Sequence, residues 1–189
     1  MLTKITQCDN SQVIADIEAF TEHSRITDLY DELVVQQCLD AAHDLVQKWL
    51  NRMIYPSRVI AVSDEYQREV FLPYPNIKTV YSVKAEDSDY NEVYFTKDVD
   101  WKFDEVTQTV RFLQTTSSQY HRYSRFTYDY SCGYDQECDP VPAAVKHAIL
   151  MTAATLYENR EDTIVGTQIN EVPLNSQRLL QVHRIRTQQ

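Results

Sequence analysis

Glycine is nearly absent: Gly133 and Gly166 are the only two in 189 residues. So few glycines exclude a collagen-like repeat and a flexible Gly/Ser linker, and leave no material for a glycine-rich loop that cradles phosphate. Basic residues are also scarce, with 18 Lys and Arg against 28 Asp and Glu and a formal net charge of −10. A surface of that sign repels a phosphate backbone and argues against wrapping nucleic acid. Long apolar runs are missing too. A bilayer span needs about 20 apolar residues, and the longest candidate, Ala148 to Tyr157, is half that and reads as the buried side of a helix. Met1 to Asn10 has no apolar stretch of the kind a secretory signal carries, so no signal peptide is expected. Cys8, Cys38, Cys132 and Cys138 lack the paired spacing of a zinc site. Reduced thiols in a cytosol are the expectation, although the separation of Cys132 and Cys138 would permit a disulfide.

What is present suits a soluble globular chain of one domain, or one domain with an elaborated insert: 43% hydrophobic and 24% charged residues. A first helix is expected over 11–23, capped by Ser11, with Val13, Ile14, Ile17 and Phe20 on one face. A longer one follows over 28–53, with Thr27 as its cap and Leu29, Leu33 or Val34, Cys38, Ala41 or Ala42, Leu45, Trp49 and Met53 as its buried stripe. Tyr55-Pro56 ends it. From 57 to 131 the period switches to two, as in Ile77, Thr79, Tyr81 and Val83 and in Phe126, Tyr128 and Tyr130. Short consecutive strands with short loops predict an antiparallel arrangement. A last long helix is expected over 142–161, with Pro142 at its first position.

The fold class is therefore α+β. Helices come first, an antiparallel β-rich region follows over 57–131, and a helix follows Val141-Pro142. Residues 1–173 form this body, and 174–189 a separate C-terminal docking helix or tail. That tail holds Arg178, Arg184 and Arg186 and no acid, on a body of 15 bases and 28 acids. With Leu174, Leu179, Leu180, Val182 and Ile185 on a helical face, it has little to bury against locally and reads as a docking element.

Catalytic chemistry finds no support. His23, His43, His121, His147 and His183 lack the i, i+4 partner of a zinc helix. Ser131-Cys132-Gly133 lacks the first glycine of a nucleophile elbow and reads as a turn. Glu158, Glu161 and Asp162 surround Arg160 and read as a charged helix end. The chain is expected to be neither an enzyme nor a metal or cofactor protein. Tyr120, Tyr123, Tyr128, Tyr130 and Tyr134 crowd one stretch with Arg122 and Arg125. About half of them should face a core; the rest suggest a sticky surface, with Arg122, Tyr123 and Arg125 as a contact set. Tyrosines on strands also leave open a carbohydrate-binding β-rich module of a phage or bacterial surface protein.

The C-terminal half carries a resemblance. Gly133-Tyr134, then Val141-Pro142-Ala143-Ala144-Val145-Lys146-His147-Ala148-Ile149, then Leu156-Tyr157-Glu158-Asn159-Arg160-Glu161 resemble the signature of tailed-phage head–tail connector proteins of the gp6-like and gp8-like adaptor type. In that pattern Gly-Tyr closes the last strand, Val-Pro starts a helix, and Leu-Tyr-Glu-Asn-Arg-Glu ends it. Upstream, Asp31-Glu32-Leu33-Val34, Ala41-Ala42 and Leu72-Pro73-Tyr74-Pro75 follow in the family's order. The cysteines around Tyr134 and the tyrosine-rich stretch depart from it.

The resemblance implies a small helical bundle, made by the N-terminal helices and the helix after Val141-Pro142, with the β-rich region inserted between, and a structural ring under the portal, expected to share its twelve-fold symmetry. Such a ring extends the DNA channel without sequence-specific binding and receives the stopper or tail. It implies a place in the virion neck, with assembly in the host cytoplasm and no membrane. On it, Leu174, Arg178, Leu179, Leu180, Arg184 and Arg186 become the expected portal-binding set. Arg122, Tyr123 and Arg125 are expected to meet a neighbouring subunit or the tail-side partner.

Overall fold

A computed structural model describes residues 1–9, 14–26, 31–113, 120, 122–135, 139–159 and 174–185. The chain forms two compact units, one of Met1–Asn10 with Tyr55–Tyr134 and one of Ser11–Ile54 with Asp135–Gln189. The α+β expectation holds, with antiparallel strands in the first unit and helices in the second.

The first unit holds β1 (Leu2–Cys8), β2 (Ser57–Ser63), β3 (Glu69–Phe71), β4 (Ile77–Asp87), β5 (Glu92–Phe95), β6 (Trp101–Asp104), β7 (Thr109–Phe112) and β8 (Tyr123–Cys132). They form a five-stranded sheet in the order β1-β2-β8-β4-β5 and a three-stranded one in the order β3-β7-β6. Every strand ladder is antiparallel. Strand β1 lies outside the sequence reading, because Leu2–Cys8 is exposed at every position and has no alternation to betray it. In β8 the alternation is clean: Phe126, Tyr128, Tyr130 and Cys132 are buried.

Strand β4 corrects a phase. The buried residues are Ile77, Val80, Val83 and Ala85, and Tyr81 faces solvent. Register shifts against β8 between Ile77 and Thr79 and between Val80 and Ser82 each advance the strand by a residue. A bulge flips every side chain beyond it, so strict alternation over 77–83 assigns Tyr81 to the wrong face.

The end of β8 is closed by polar groups and Gly133. Gln108 Oε1 accepts from the backbone N–H of Asn76 (3.1 Å) and of Ile77 (2.6 Å). Asn76 Nδ2 donates to the Gly133 carbonyl at 3.0 Å, and Gly133 N–H donates back to the Asn76 carbonyl at 3.2 Å. Gly133 has φ +113°, and a Cβ there would lie 2.2 Å from the Tyr55 carbonyl oxygen. Both conformation and space require glycine.

The second unit contains α1 (Ile17–Ser24), α2 (Glu32–Leu50), α3 (Ala143–Glu158) and α4 (Leu174–Leu180). Helix α3 packs against the other three. Asp16 caps α1, accepting from Ala19 N–H at 2.7 Å; the expected caps Ser11 and Thr27 lie outside the described residues. Pro142 stands one position earlier than expected, as the N-cap of α3, where its carbonyl accepts from Val145 N–H (2.9 Å) and Lys146 N–H (3.2 Å). In α2 the buried stripe is Val35, Leu39, Ala42, Val46 and Leu50; Ala42 and, beyond the helix, Met53 are buried as expected, while Val34, Cys38, Leu45 and Trp49 lie one residue out of phase with it. Apolar residues cover so wide an arc of this helix that periodicity alone cannot choose its inward centre. Burial lowers the His43 pKa despite nearby Asp44 and Asp40, which favours its neutral form. Among the described residues no helix is long and apolar enough to cross a membrane.

Gly133→Ala is expected to destabilise the protein by about 2 kcal/mol or more, since it adds positive-φ strain to a backbone clash. Denaturant unfolding followed by circular dichroism measures it, and a change under about 0.5 kcal/mol would contradict this account of the closure.

Candidate assembly surfaces

The C-terminal segment is partly folded into its own unit. Leu180 and Ser176 are fully buried, whereas Arg178, Leu179 and Val182 are exposed. The chain then turns: His183 and Arg184 N–H both donate to the Leu180 carbonyl, at 2.9 and 3.0 Å. Ile185 N–H donates to the Leu50 carbonyl at 3.1 Å, and Arg52 Nε donates to the His183 carbonyl at 3.0 Å. Arg184 lies over the Trp49 ring, 4.6 Å from its centroid. These contacts cap the C-terminal end of α2, where cations and N–H donors are favoured.

The expectation that this segment has little to bury against is corrected here: Leu180 belongs to the core of its unit and Arg184 is stacked on an aromatic ring. Linear sequence does not reveal that residues 49–52 return to meet residues 180–185. Leu174 opens α4, with its side chain outside the described set, and Arg186 lies outside the described residues.

The second predicted contact set is also divided. Tyr123 is buried, its ring edge-on to Phe95 (5.8 Å) and to Phe126 (6.1 Å). Arg122 covers that ring at 4.8 Å and donates to its hydroxyl at 2.5 Å. Arg125 is exposed, 3.8 Å from both Asp64 and Glu86. Tyr123 therefore anchors the fold, leaving Arg122 and Arg125 at the surface.

The other tyrosines of that stretch, Tyr120, Tyr128, Tyr130 and Tyr134, are buried as well. Half had been expected outside. Tyr120 and Tyr123 join an aromatic cluster in which they, Tyr66, Phe95, Phe112 and Phe126 meet at centroid distances of 4.7 to 6.5 Å, and Tyr128 and Tyr130 follow Phe126 on the inward face of β8. Burial pushes the Tyr128 and Tyr130 hydroxyls well above the usual tyrosine range, and Tyr130 donates to the Pro73 carbonyl at 2.5 Å. The crowded tyrosines thus give no ground for a sugar-stacking face.

Sequence reasoning missed the solvent face of the five-stranded sheet. Arg58 forms a two-pronged bond with Asp129, at 2.8 and 2.6 Å, and lies 4.7 Å from the centroid of the Tyr81 ring. Lys84 pairs with Glu92, which also accepts from the Tyr94 hydroxyl at 3.1 Å. No sequence signal marked it, because the outward turn of Tyr81 comes from the register shifts of β4 against β8.

Among the described residues no group of three or more His, Cys, Asp or Glu could hold a metal. His23 and His147 meet edge to face at 5.1 Å, joining α1 to α3. Cys132 ends β8 and is buried, with its thiol pushed up to about 12. Cys138, and so the 132–138 pairing, lies outside the described residues, as do Arg160, Glu161 and Asp162.

No family model and no curated protein sequence matches the chain. Its fold, however, is shared along the whole length by chains of phage-like particles. One is from the neck of an empty gene transfer agent particle computed with C6 symmetry, with TM-score 0.72 and 15% identity over 100% of this chain and 98% of that one. A second, from the neck of the native particle computed with C12 symmetry, has TM-score 0.71, 15% identity and the same coverage. A third comes from the virion of the native particle, with TM-score 0.72 and 15% identity. At that identity the likeness establishes the fold.

Leu180→Ala is expected to cost about 2–5 kcal/mol, as for buried leucines generally, and Leu179→Ala to stay within about 0.5 kcal/mol. Equal effects in paired unfolding curves would refute this division of the tail. Thiol labelling provides a second check. At pH 8 a maleimide should modify exposed Cys8 in the folded protein and leave Cys132 unmodified until denaturant is added, because the thiolate is the reactive form.

Proposed function

We propose that this protein is a structural adaptor in the neck of a tailed phage or prophage particle, of the type its sequence resembles. Copies form a ring beneath the portal, with the portal's twelve-fold symmetry, extend the DNA channel and receive the stopper or tail. The observation that carries this reading is the end-to-end likeness to chains of gene transfer agent necks, one computed with C12 symmetry. The ordered motifs from Gly133-Tyr134 to Leu156-Tyr157-Glu158-Asn159-Arg160-Glu161 point the same way independently. The charge is compatible as well: a net −10 chain makes a wall to which DNA in transit does not adhere.

Portal docking belongs to the basic end of the chain. Arg178 and Leu179 offer one exposed charge and one exposed apolar group on α4, while Leu180 holds the helix in place from beneath. Arg184 is stacked on Trp49, Leu174 starts the helix, and Arg186 completes the proposed set. Arg122 and Arg125 are the surface part of the second contact set, for a neighbouring copy or the tail-side partner.

Negative-stain microscopy of the protein mixed with the portal ring from the same particle tests this. Extra ring density under the portal is expected with the full chain, and at least tenfold less occupancy with Arg178→Glu/Leu179→Ala, whose substitutions spare the core. Bare portals at high protein excess would reject the adaptor reading. Full occupancy by the double variant would reject this docking surface.

A further inference from the structure

We infer that Trp49, near the C-terminal end of α2, is a positioning residue for docking: it holds Arg184, and with it the turn that follows α4, and so presents Arg178 and Leu179 to the portal. The inference rests on the docking surface proposed above.

Helix α4 has little of its own to hold it. Its seven residues make too few intrahelical bonds to be stable alone. The inward side is Ser176 and Leu180, one turn apart and both fully buried. Burying the leucine is favourable. The Ser176 hydroxyl, however, finds no hydrogen-bond partner among the described residues, and an unsatisfied buried hydroxyl works against that gain. The outward side carries Asn175, Arg178 and Leu179. One buried leucine is a thin hold on so short a helix, and any fraying would scatter the exposed pair.

The turn after α4 supplies a further hold. His183 and Arg184 N–H both close on the Leu180 carbonyl, so the turn is continuous with the helix. Three contacts then reach the end of α2. Ile185 N–H donates to the Leu50 carbonyl at 3.1 Å, and Arg52 Nε donates to the His183 carbonyl at 3.0 Å. The Arg184 guanidinium lies 4.6 Å from the centroid of the Trp49 ring.

Trp49 is not needed for the buried stripe of α2, which runs through Val35, Leu39, Ala42, Val46 and Leu50 without it. It stays half-buried at the flank of that stripe, with a ring face given to an arginine. Tryptophan offers a cation the strongest of the aromatic faces. The arginine it takes belongs to the acid-free end of the chain, residues 174–189, which holds Arg178, Arg184 and Arg186. Among the described residues Arg184 is drawn to this ring and to no carboxylate. A salt bridge would fasten the segment by neutralising it; the ring fastens it and leaves its positive charge for a partner.

The test is a double-mutant cycle on the full chain, read as affinity for the portal ring of the same particle. Trp49→Ala and Arg184→Gln should each weaken binding roughly fivefold. The double variant should bind no more weakly than either single one, because both substitutions break one contact. Trp49→Phe, which keeps an aromatic face, should bind within about twofold of the unmutated chain. Hydrogen exchange of the free protein gives a second readout: Trp49→Ala should speed exchange at residues 183–185 about tenfold and leave α3 unchanged. Losses that multiply in the double variant would put Arg184 directly on the portal and overturn the inference. Full binding by Trp49→Ala, or unchanged exchange at 183–185, would overturn it as well. Faster exchange throughout α3 would make Trp49 a packing residue only. An unmutated chain that leaves the portal bare would remove the docking surface and the inference together.

Discussion

Strand β8 runs through the middle of the larger sheet, paired with β2 on one side and β4 on the other, and the first unit depends on what its alternate side chains bury. Phe126, Tyr128 and Tyr130 are all fully buried from this one strand. An aromatic side chain removes roughly 150–250 Å² from water, worth several kcal/mol at about 25 cal/mol per Å². An exposed ion pair such as Arg111–Glu69 is worth about 0–1 kcal/mol by comparison. The same cluster draws Phe112 from the smaller sheet and Phe95 from β5 against Phe126, so one strand organises both sheets. Gly133 then ends β8 where no side chain would fit beside Tyr55.

The helical unit solves a different problem. Helix α3 touches α1, α2 and α4, and a short, seven-residue α4 is held by Leu180 and by backbone bonds from residues that follow it. A helix this short is not stable by itself. Its packing on α3 and the cap that the following turn lends to α2 hold residues 174–185 in place. The tail is thus a positioned element. Its exposed arginine and leucine can act as a docking group because neighbouring residues hold the helix beneath them.

The two units separate the forces that hold the chain from those that could join chains. The largest aromatic and apolar groups are committed inward, while others, Leu2, Leu33, Tyr81, Tyr94 and Leu179 among them, stay at the surface. Helix α2 carries the exposed acids Asp40 and Asp44, whereas on the sheet the charges are matched in place, Arg58 with Asp129 and Lys84 with Glu86 and Glu92.

The α+β class, the antiparallel strands between helices and the helix after Val141-Pro142 were legible in order of residues alone, because periods of two and 3.6 and the preferences of proline act locally. The resemblance to head–tail adaptors was legible for the same reason, since its motifs are short and ordered. Strand β1 was not, because an edge strand exposed on both faces carries no hydrophobic period. Nor was the inward stripe of α2, the outward turn of Tyr81 or the burial of Tyr123 and Leu180. Each depends on which residues distant in the chain come to lie alongside: a broad apolar arc or a tyrosine-rich strand permits several packings of similar local energy. Sequence therefore determined which elements form and roughly where they begin. Tertiary structure decided which face of each turns inward, since burial is a property of neighbours and a single bulge or a one-residue rotation exchanges core for surface.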